Sequence, residues 1–114
     1  MGAATILIVD DEWQNRKLLE ALLQPEGYLT VCAASGEEAL ALVCAKAPDL
    51  ILLDLMMPQM DGYEVVTRLK SNLATSSIPV IMVTAQIDRN SRVAGLRAGA
   101  GEFLTKPVDG IEFW

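Results

Sequence analysis

The chain has 114 residues, the length of a single domain, and 52% of them are hydrophobic, which is enough to build a core without covalent cross-links. Its 15 acidic and 9 basic residues give a net charge of −6, so direct binding to the phosphates of nucleic acids is not expected. The chain contains no histidine, which excludes mechanisms that need an imidazole base or metal ligand.

The two cysteines, Cys32 and Cys44, form no CxxC motif and fit neither a zinc site nor a disulfide framework. Free thiols are typical of a reducing compartment. The sequence also has no basic leader and no apolar run of about 18 residues. We therefore expect a soluble, cytoplasmic protein that does not enter a membrane.

Short apolar runs alternate with amphipathic stretches along the whole chain. The predicted strands cover residues 5–9, 28–33, 50–53, 78–83 and 102–105. The predicted helices cover residues 13–23, 36–46, a stretch that opens at Asp61 or Gly62, and 88–99. Leu18, Leu19, Leu22 and Leu23 are predicted to line one side of the first helix, and Ser35 is predicted to cap the second.

Strands that are apolar on both faces and alternate with helices indicate a parallel sheet covered on both sides. Right-handed crossovers then favour an α/β, doubly wound five-stranded parallel sheet in the order 2-1-3-4-5. Sheets of this kind bind ligands beyond the carboxyl ends of their strands, at the point where the strand order reverses. The residues that follow each strand are therefore the first candidates for a functional site.

Chemically distinctive residues follow four of the five predicted strands. They are Asp10, Asp11 and Glu12 after the first, Asp54 after the third, Thr84 and Ala85 after the fourth, and Lys106 and Pro107 after the fifth. Each has an ordinary alternative: Asp10 and Asp11 could cap the first helix, and Lys106 could be a solvated surface lysine. Because all of these residues are expected at the same edge of the sheet, a functional site is favoured over the ordinary alternatives.

Aspartates held close together repel one another, and Mg²⁺ is a natural counter-charge because it prefers oxygen ligands. A carboxylate can also attack phosphorus and form an aspartyl phosphate. In phosphoryl transfer a protein mainly neutralises charge on the equatorial oxygens, a role suited to Mg²⁺, Lys106 and the Thr84 hydroxyl. Asp54 stands alone on the middle strand and is the best candidate nucleophile, and the small Ala85 leaves space beside it.

From Ile6 to Pro107 the sequence resembles the receiver domain of two-component response regulators (the CheY-like superfamily), which has a flavodoxin-like fold. The resemblance is carried by the stretches ILIVDDE, PDLILLDLMMPQMDGYEV, IPVIMVTA and GAGEFLTKPV. It implies that Asp54 accepts the phosphoryl group and that Asp11, Asp10 and the backbone carbonyl of Met56 bind Mg²⁺. It also implies that Thr84 is the switch hydroxyl and Lys106 the phosphate-binding lysine.

The resemblance further assigns Phe103 as the switch aromatic, where many family members have tyrosine. Met56 and Gln86 occupy positions that tune hydrolysis of the aspartyl phosphate, and the apolar Met56 predicts slow hydrolysis. The implied partners are a histidine kinase or histidine phosphotransfer protein and a downstream effector. The implied role is a phosphoacceptor with slow self-dephosphorylation, not an enzyme with a turnover substrate.

The chain departs from the family after Lys106, because residues 108–114 are too few for a complete fifth helix. We expect one shortened receiver domain over residues 1–114, with no output domain. We also expect the sheet face that the fifth helix would cover to favour self-association as a homodimer, with Phe113 and Trp114 near it.

Three other functions compete with that of a receiver domain. A phosphatase with an aspartyl intermediate needs a second acid two residues after the nucleophile, where this chain has Met56. A flavin or nucleotide binder needs a phosphate-cradling loop after the first strand, where Asp10 and Asp11 would repel phosphate. A receiver-like adaptor that is not phosphorylated typically lacks one of the five pocket residues, all of which are present here.

Overall fold

The computed structural model describes residues 3–54, 57 and 60–83, and the backbone of residues 84 and 102–105. It contains a five-stranded, fully parallel sheet in the order β2-β1-β3-β4-β5, as predicted. The strands are β1 (Thr5–Val9), β2 (Leu29–Ala33), β3 (Leu50–Asp54), β4 (Val80–Thr84) and β5 (Glu102–Thr105). The helices within the described residues are α1 (Trp13–Leu23), α2 (Gly36–Ala45) and α3 (Gly62–Lys70), with one 3₁₀ turn at Gln24–Glu26.

The central strands β1, β3 and β4 are buried on both faces of the sheet, to which their alternate residues point. On one face, α1 packs Leu19 and Leu23 against Ile8 and its neighbours. On the other face, α2 and α3 cover a larger core that includes Leu7, Ile51 and further residues of β4. The continuous apolar strands of the sequence are explained by this double coverage.

Side chains cap two of the helices at their first turns. Ser35 accepts a hydrogen bond from the backbone N–H of Glu38 and caps α2, as predicted. Asp61 does the same for α3 through the N–H of Glu64, which resolves the prediction that either Asp61 or Gly62 opens that helix. Both caps satisfy backbone donors that a helix start leaves unpaired.

Several details of the predicted elements were wrong. The second helix ends at Ala45, one residue earlier than predicted, and the third strand extends by one residue to include Asp54. Leu18 is 40% exposed, because positions 19 and 23 face the sheet and position 18 lies about 100° around the helix from position 19. The fourth strand begins at Val80 and not at residue 78, since the Ile78 N–H bonds the Thr75 carbonyl in a turn and Pro79 has no N–H. The second strand begins at Leu29, one residue later than predicted.

Several predictions lie outside the described residues. These are the helix over residues 88–99, the shortened end of the chain, and the self-association expected from it. The proposed division into a single domain over residues 1–114 also stays a prediction. Among the described residues, every helix is too short or too polar to span a bilayer.

Candidate metal centre

Two of the predicted site aspartates lie side by side at the carboxyl edge of the sheet. β1 and β3 are neighbouring parallel strands, and their pairing register matches Val9 with Leu53. Asp10 follows Val9, and Asp54 follows Leu53 as the last residue of β3, so the two carboxylates occupy equivalent positions. This is the point at which the strand order reverses, because β2 lies on the other side of β1.

Three carboxylates meet at this edge. One oxygen each of Asp10, Asp11 and Asp54 lies within 4.8 Å of the other two. Asp10 and Asp54 are almost fully buried, with 2% and 5% of their surface exposed, whereas Asp11 is exposed to solvent. The cluster therefore has a buried side formed by the strand ends and an open side through which a ligand can enter.

The Asp10 side chain is held by the start of α1. Its Oδ1 accepts a hydrogen bond of 2.9 Å from the backbone N–H of Glu12, and the amide of Asn15 lies 3.5 Å from the same oxygen. Glu12 is the N-cap residue of α1, and its own side chain makes no capping bond. The alternative that Asp10 caps α1 is therefore wrong, because the N-cap of that helix is Glu12 and the Asp10 carboxylate accepts from the N–H of Glu12 itself.

The Asp10 backbone is fixed as firmly as its side chain. Its N–H donates to the Ala33 carbonyl at the end of β2, with an N···O distance of 3.1 Å. Its carbonyl accepts a 2.7 Å hydrogen bond from Nη1 of Arg16 on α1. Asp10 therefore joins β1, β2 and α1 at one point, which gives its carboxylate a defined direction.

Two methionines that follow Asp54 are buried in the core. Met57 and Met60 are each 8% exposed and pack into the larger core beneath α2 and α3. Three residues after Asp54, namely Met57, Met60 and Asp61, are thus fixed by burial or by helix capping. These three described residues are thereby held against the body of the protein.

The donor set fits a hard divalent cation. Carboxylate oxygens are the ligands that Mg²⁺ and Mn²⁺ prefer, and the cluster offers three of them at mutually close range. Placing two buried carboxylates and a third beside one another is costly unless a positive charge compensates them. The exposure of Asp11 leaves room for the water ligands that Mg²⁺ usually retains.

The remaining predicted site residues are placed only by the backbone or lie outside the described residues. Thr84 ends β4, one residue beyond the Val83 that pairs with Asp54, so its backbone reaches the same edge. Phe103 lies in β5 opposite Met82. The positions outside the described residues are Met56, Ala85, Gln86 and Lys106.

Asn15 and Arg16 contact Asp10 but were not predicted from the sequence. They follow Asp10 by five and six positions and lie in the first turns of α1. Their reach back to the strand end depends on how the helix leaves the sheet, which apolar periodicity does not report. The signal available in the sequence is a polar pair on the inner side of a helix that begins beside a candidate site.

The chain is similar to known receiver proteins over almost its whole length. The family model described as response regulator receiver domain matches residues 6–113. The response regulator PleD of Caulobacter vibrioides is 48% identical over 109 residues, which are 96% of this chain. The chain spans 24% of the length of PleD.

Solved structures support the same relationship. The chemotaxis protein CheY4 of Vibrio cholerae superposes with a TM-score of 0.91 at 32% identity, covering 95% of this chain and 90% of CheY4. The Mn²⁺-bound form of response regulator Rcp1 superposes with a TM-score of 0.84 at 27% identity, covering 93% of this chain and 83% of Rcp1.

Proposed function

Because the chain belongs to the family of response regulator receiver domains of two-component signalling, we propose that Asp54 is its phosphoryl acceptor. One observation carries this proposal: Asp54 ends the central strand β3, and its carboxylate lies within 4.8 Å of those of Asp10 and Asp11. An acceptor needs a fixed nucleophile beside a cation site, and this arrangement of carboxylates supports both roles.

The reaction is an attack by a carboxylate on phosphorus. A carboxylate oxygen of Asp54 forms a bond to the phosphorus of a phosphohistidine on a partner protein. The P–N bond breaks, its electron pair stays on the imidazole nitrogen, and Asp54 becomes a mixed anhydride. Because the transferred group carries negative charge and arrives beside the carboxylates of Asp10 and Asp11, positive groups at the edge of the sheet have to offset that charge.

Mg²⁺ is the cation that we propose for this site. Asp10, Asp11 and Asp54 would hold it together with the backbone carbonyl of Met56, and when bound it supplies charge neutralisation for the phosphoryl oxygens. Asp11 would bind the ion directly, since it is the exposed member of the cluster. Asp10 would act largely through water, since one of its oxygens already accepts from Glu12.

The other pocket roles follow the family pattern. We propose that the Thr84 hydroxyl and Lys106 bind phosphoryl oxygens, and that Phe103 changes rotamer with Thr84 as the conformational readout. The backbone of Thr84 lies at the same sheet edge as Asp54, which supports the proposed role of its hydroxyl in binding a phosphoryl oxygen. Ala85, Met56 and Gln86 would shape access of water to the aspartyl phosphate.

We propose that the protein acts as a signalling module with slow self-dephosphorylation and not as an enzyme with a turnover substrate. Its partners would be a histidine kinase or a histidine phosphotransfer protein and a downstream effector protein or domain. Cys32 and Cys44 are both free thiols, which supports a location in the reducing cytoplasm, where such kinases have access to ATP.

The deciding experiment is an intact-mass measurement after incubation with a small acyl phosphate or phosphoramidate, with and without Mg²⁺. We expect a gain of one phosphoryl group that requires Mg²⁺ and is absent in Asp54→Asn. Asp61→Asn is the matched control, because it removes a carboxylate seven positions after Asp54 in the sequence while asparagine still caps α3.

The control variant should be phosphorylated like the wild type. A wild-type protein that gains no mass under any donor would refute the proposed acceptor function. If Asp54→Asn gained as much phosphoryl mass as the wild type, another residue would be the acceptor.

A further inference from the structure

We infer that Arg16 is a positioning residue for the cation site, and this inference rests on the proposed function. Its guanidinium Nη1 donates a 2.7 Å hydrogen bond to the backbone carbonyl of Asp10. It belongs neither to the carboxylate cluster nor to the pocket residues predicted from the sequence. Its role is to fix the turn between β1 and α1, from which Asp10 and Asp11 project.

The contact is built from within the first turn of α1. Arg16 is half-buried, and its own N–H bonds the carbonyl of Glu12, the cap residue of the helix. Its side chain then runs back to the end of β1, so that one residue spans the whole connection between strand and helix. Glu12 in turn donates its N–H to the Asp10 carboxylate, which closes a ring of contacts around Asp10.

Arg16 is suited to this position because a guanidinium offers several donors in a rigid plane, whereas a lysine ammonium is a flexible point charge. The hydrogen bond to a carbonyl orients the peptide plane that joins Asp10 to Asp11. Rotation of that plane would move the two carboxylates relative to each other. Residues that orient metal ligands in this way typically affect affinity as strongly as some ligands do.

The charge of Arg16 makes the inference sharply testable. A positive group near three carboxylates competes electrostatically with a bound cation. If Arg16 acted only through its charge, its removal would therefore tighten cation binding. If Arg16 acts by positioning, its removal weakens cation binding instead. The two explanations therefore predict opposite signs for the same substitution.

The experiment is a titration of the full chain with Mn²⁺, in which the free ion is quantified by its EPR signal, and Mg²⁺ affinity is obtained by competition. We expect Arg16→Met to weaken binding about 10-fold. We expect Arg16→Lys, which keeps the charge, to weaken binding in the same direction by a smaller factor. Arg68→Met is the control, because Arg68 pairs with Glu64 on the exposed side of α3, and its affinity should equal that of the wild type.

Unchanged or tighter binding in Arg16→Met would overturn the inference. If that variant does not fold by circular dichroism, Arg16→Lys decides, since a pure charge effect predicts wild-type affinity for it. A wild-type protein that binds no Mn²⁺ would refute the proposed cation site, and the inference with it. A wild type that binds Mn²⁺ normally while both Arg16 variants match it would refute the inference alone.

Discussion

Gly36, the first residue of α2, lies against the side chain of Met60 in the segment that joins β3 to α3. A Cβ atom at Gly36 would come within 2.9 Å of the Met60 sulfur and 2.7 Å of Cγ2 of Val65. Because Met60 follows the candidate acceptor Asp54 by six residues, this contact connects the start of α2 to the segment beside the site. The absence of a side chain at position 36 allows that close approach.

The variant Gly36→Ala should therefore be destabilised by about 1–3 kcal/mol, the usual cost of overpacking a core. Without the clash, alanine would stabilise the helix relative to glycine. Overpacking therefore predicts a lower free energy of unfolding for the variant, whereas helix propensity alone predicts a higher one. Urea unfolding measures the effect. In a double-mutant cycle, Val65→Ala should relieve part of the cost, and an additive cycle would contradict the proposed clash.

Met56 is predicted to slow hydrolysis of the aspartyl phosphate, because an apolar side chain there offers no group to orient an attacking water. Met56→Asn should shorten the lifetime of the phosphorylated protein, measured by the decay of the phosphorylated mass after the donor is removed. Met57→Leu is a useful control, since Met57 is buried in the core and a volume-conserving change should leave the lifetime unchanged. Equal lifetimes of Met56→Asn and the wild type would contradict the prediction.

The architecture and the carboxylate cluster could be predicted from the sequence because both depend on simple periodicities. The run of residues 50–53 is apolar on both faces and ends at Asp54, so strand, burial and site position follow together. The same pattern failed for Leu18, because a run of leucines does not say which two of them face the sheet. It failed for Ile78 because a proline at the following position shifted the start of the strand.

The contacts of Asn15 and Arg16 with Asp10 could not be predicted for a different reason. They depend on the direction in which α1 leaves β1, which is set by packing of Leu19 and Leu23 on the sheet. A polar residue in the first turn of a helix is equally compatible with solvent exposure. Tertiary geometry, and not local pattern, decides between these alternatives.

The two free cysteines should differ in reactivity. Burial raises the pKa of the Cys32 thiol to about 11, and the hydrogen bond to the Glu20 carboxylate adds to that rise, whereas Cys44 is exposed. At pH 8 only on the order of 0.1% of Cys32 is thiolate, so alkylation by iodoacetamide should be fast at Cys44 and slow at Cys32. Mass spectrometry of Cys44→Ser should show loss of the fast phase, and Cys32→Ser should retain it. Fast labelling of Cys44→Ser would contradict the prediction.

The raised pKa of Cys32 also makes folding stability depend on pH. Between its ordinary pKa of 9.0 and the folded value of about 11, the unfolded chain loses the Cys32 proton while the folded chain keeps it. Because the folded state then binds more protons, the free energy of unfolding falls as the pH rises through this window. Urea unfolding at several pH values should show a steeper fall for the wild type than for Cys32→Ser, whose hydroxyl does not titrate there. Cys44→Ser should keep the steeper fall, and equal slopes for wild type and Cys32→Ser would show that the thiol is not held protonated by the fold.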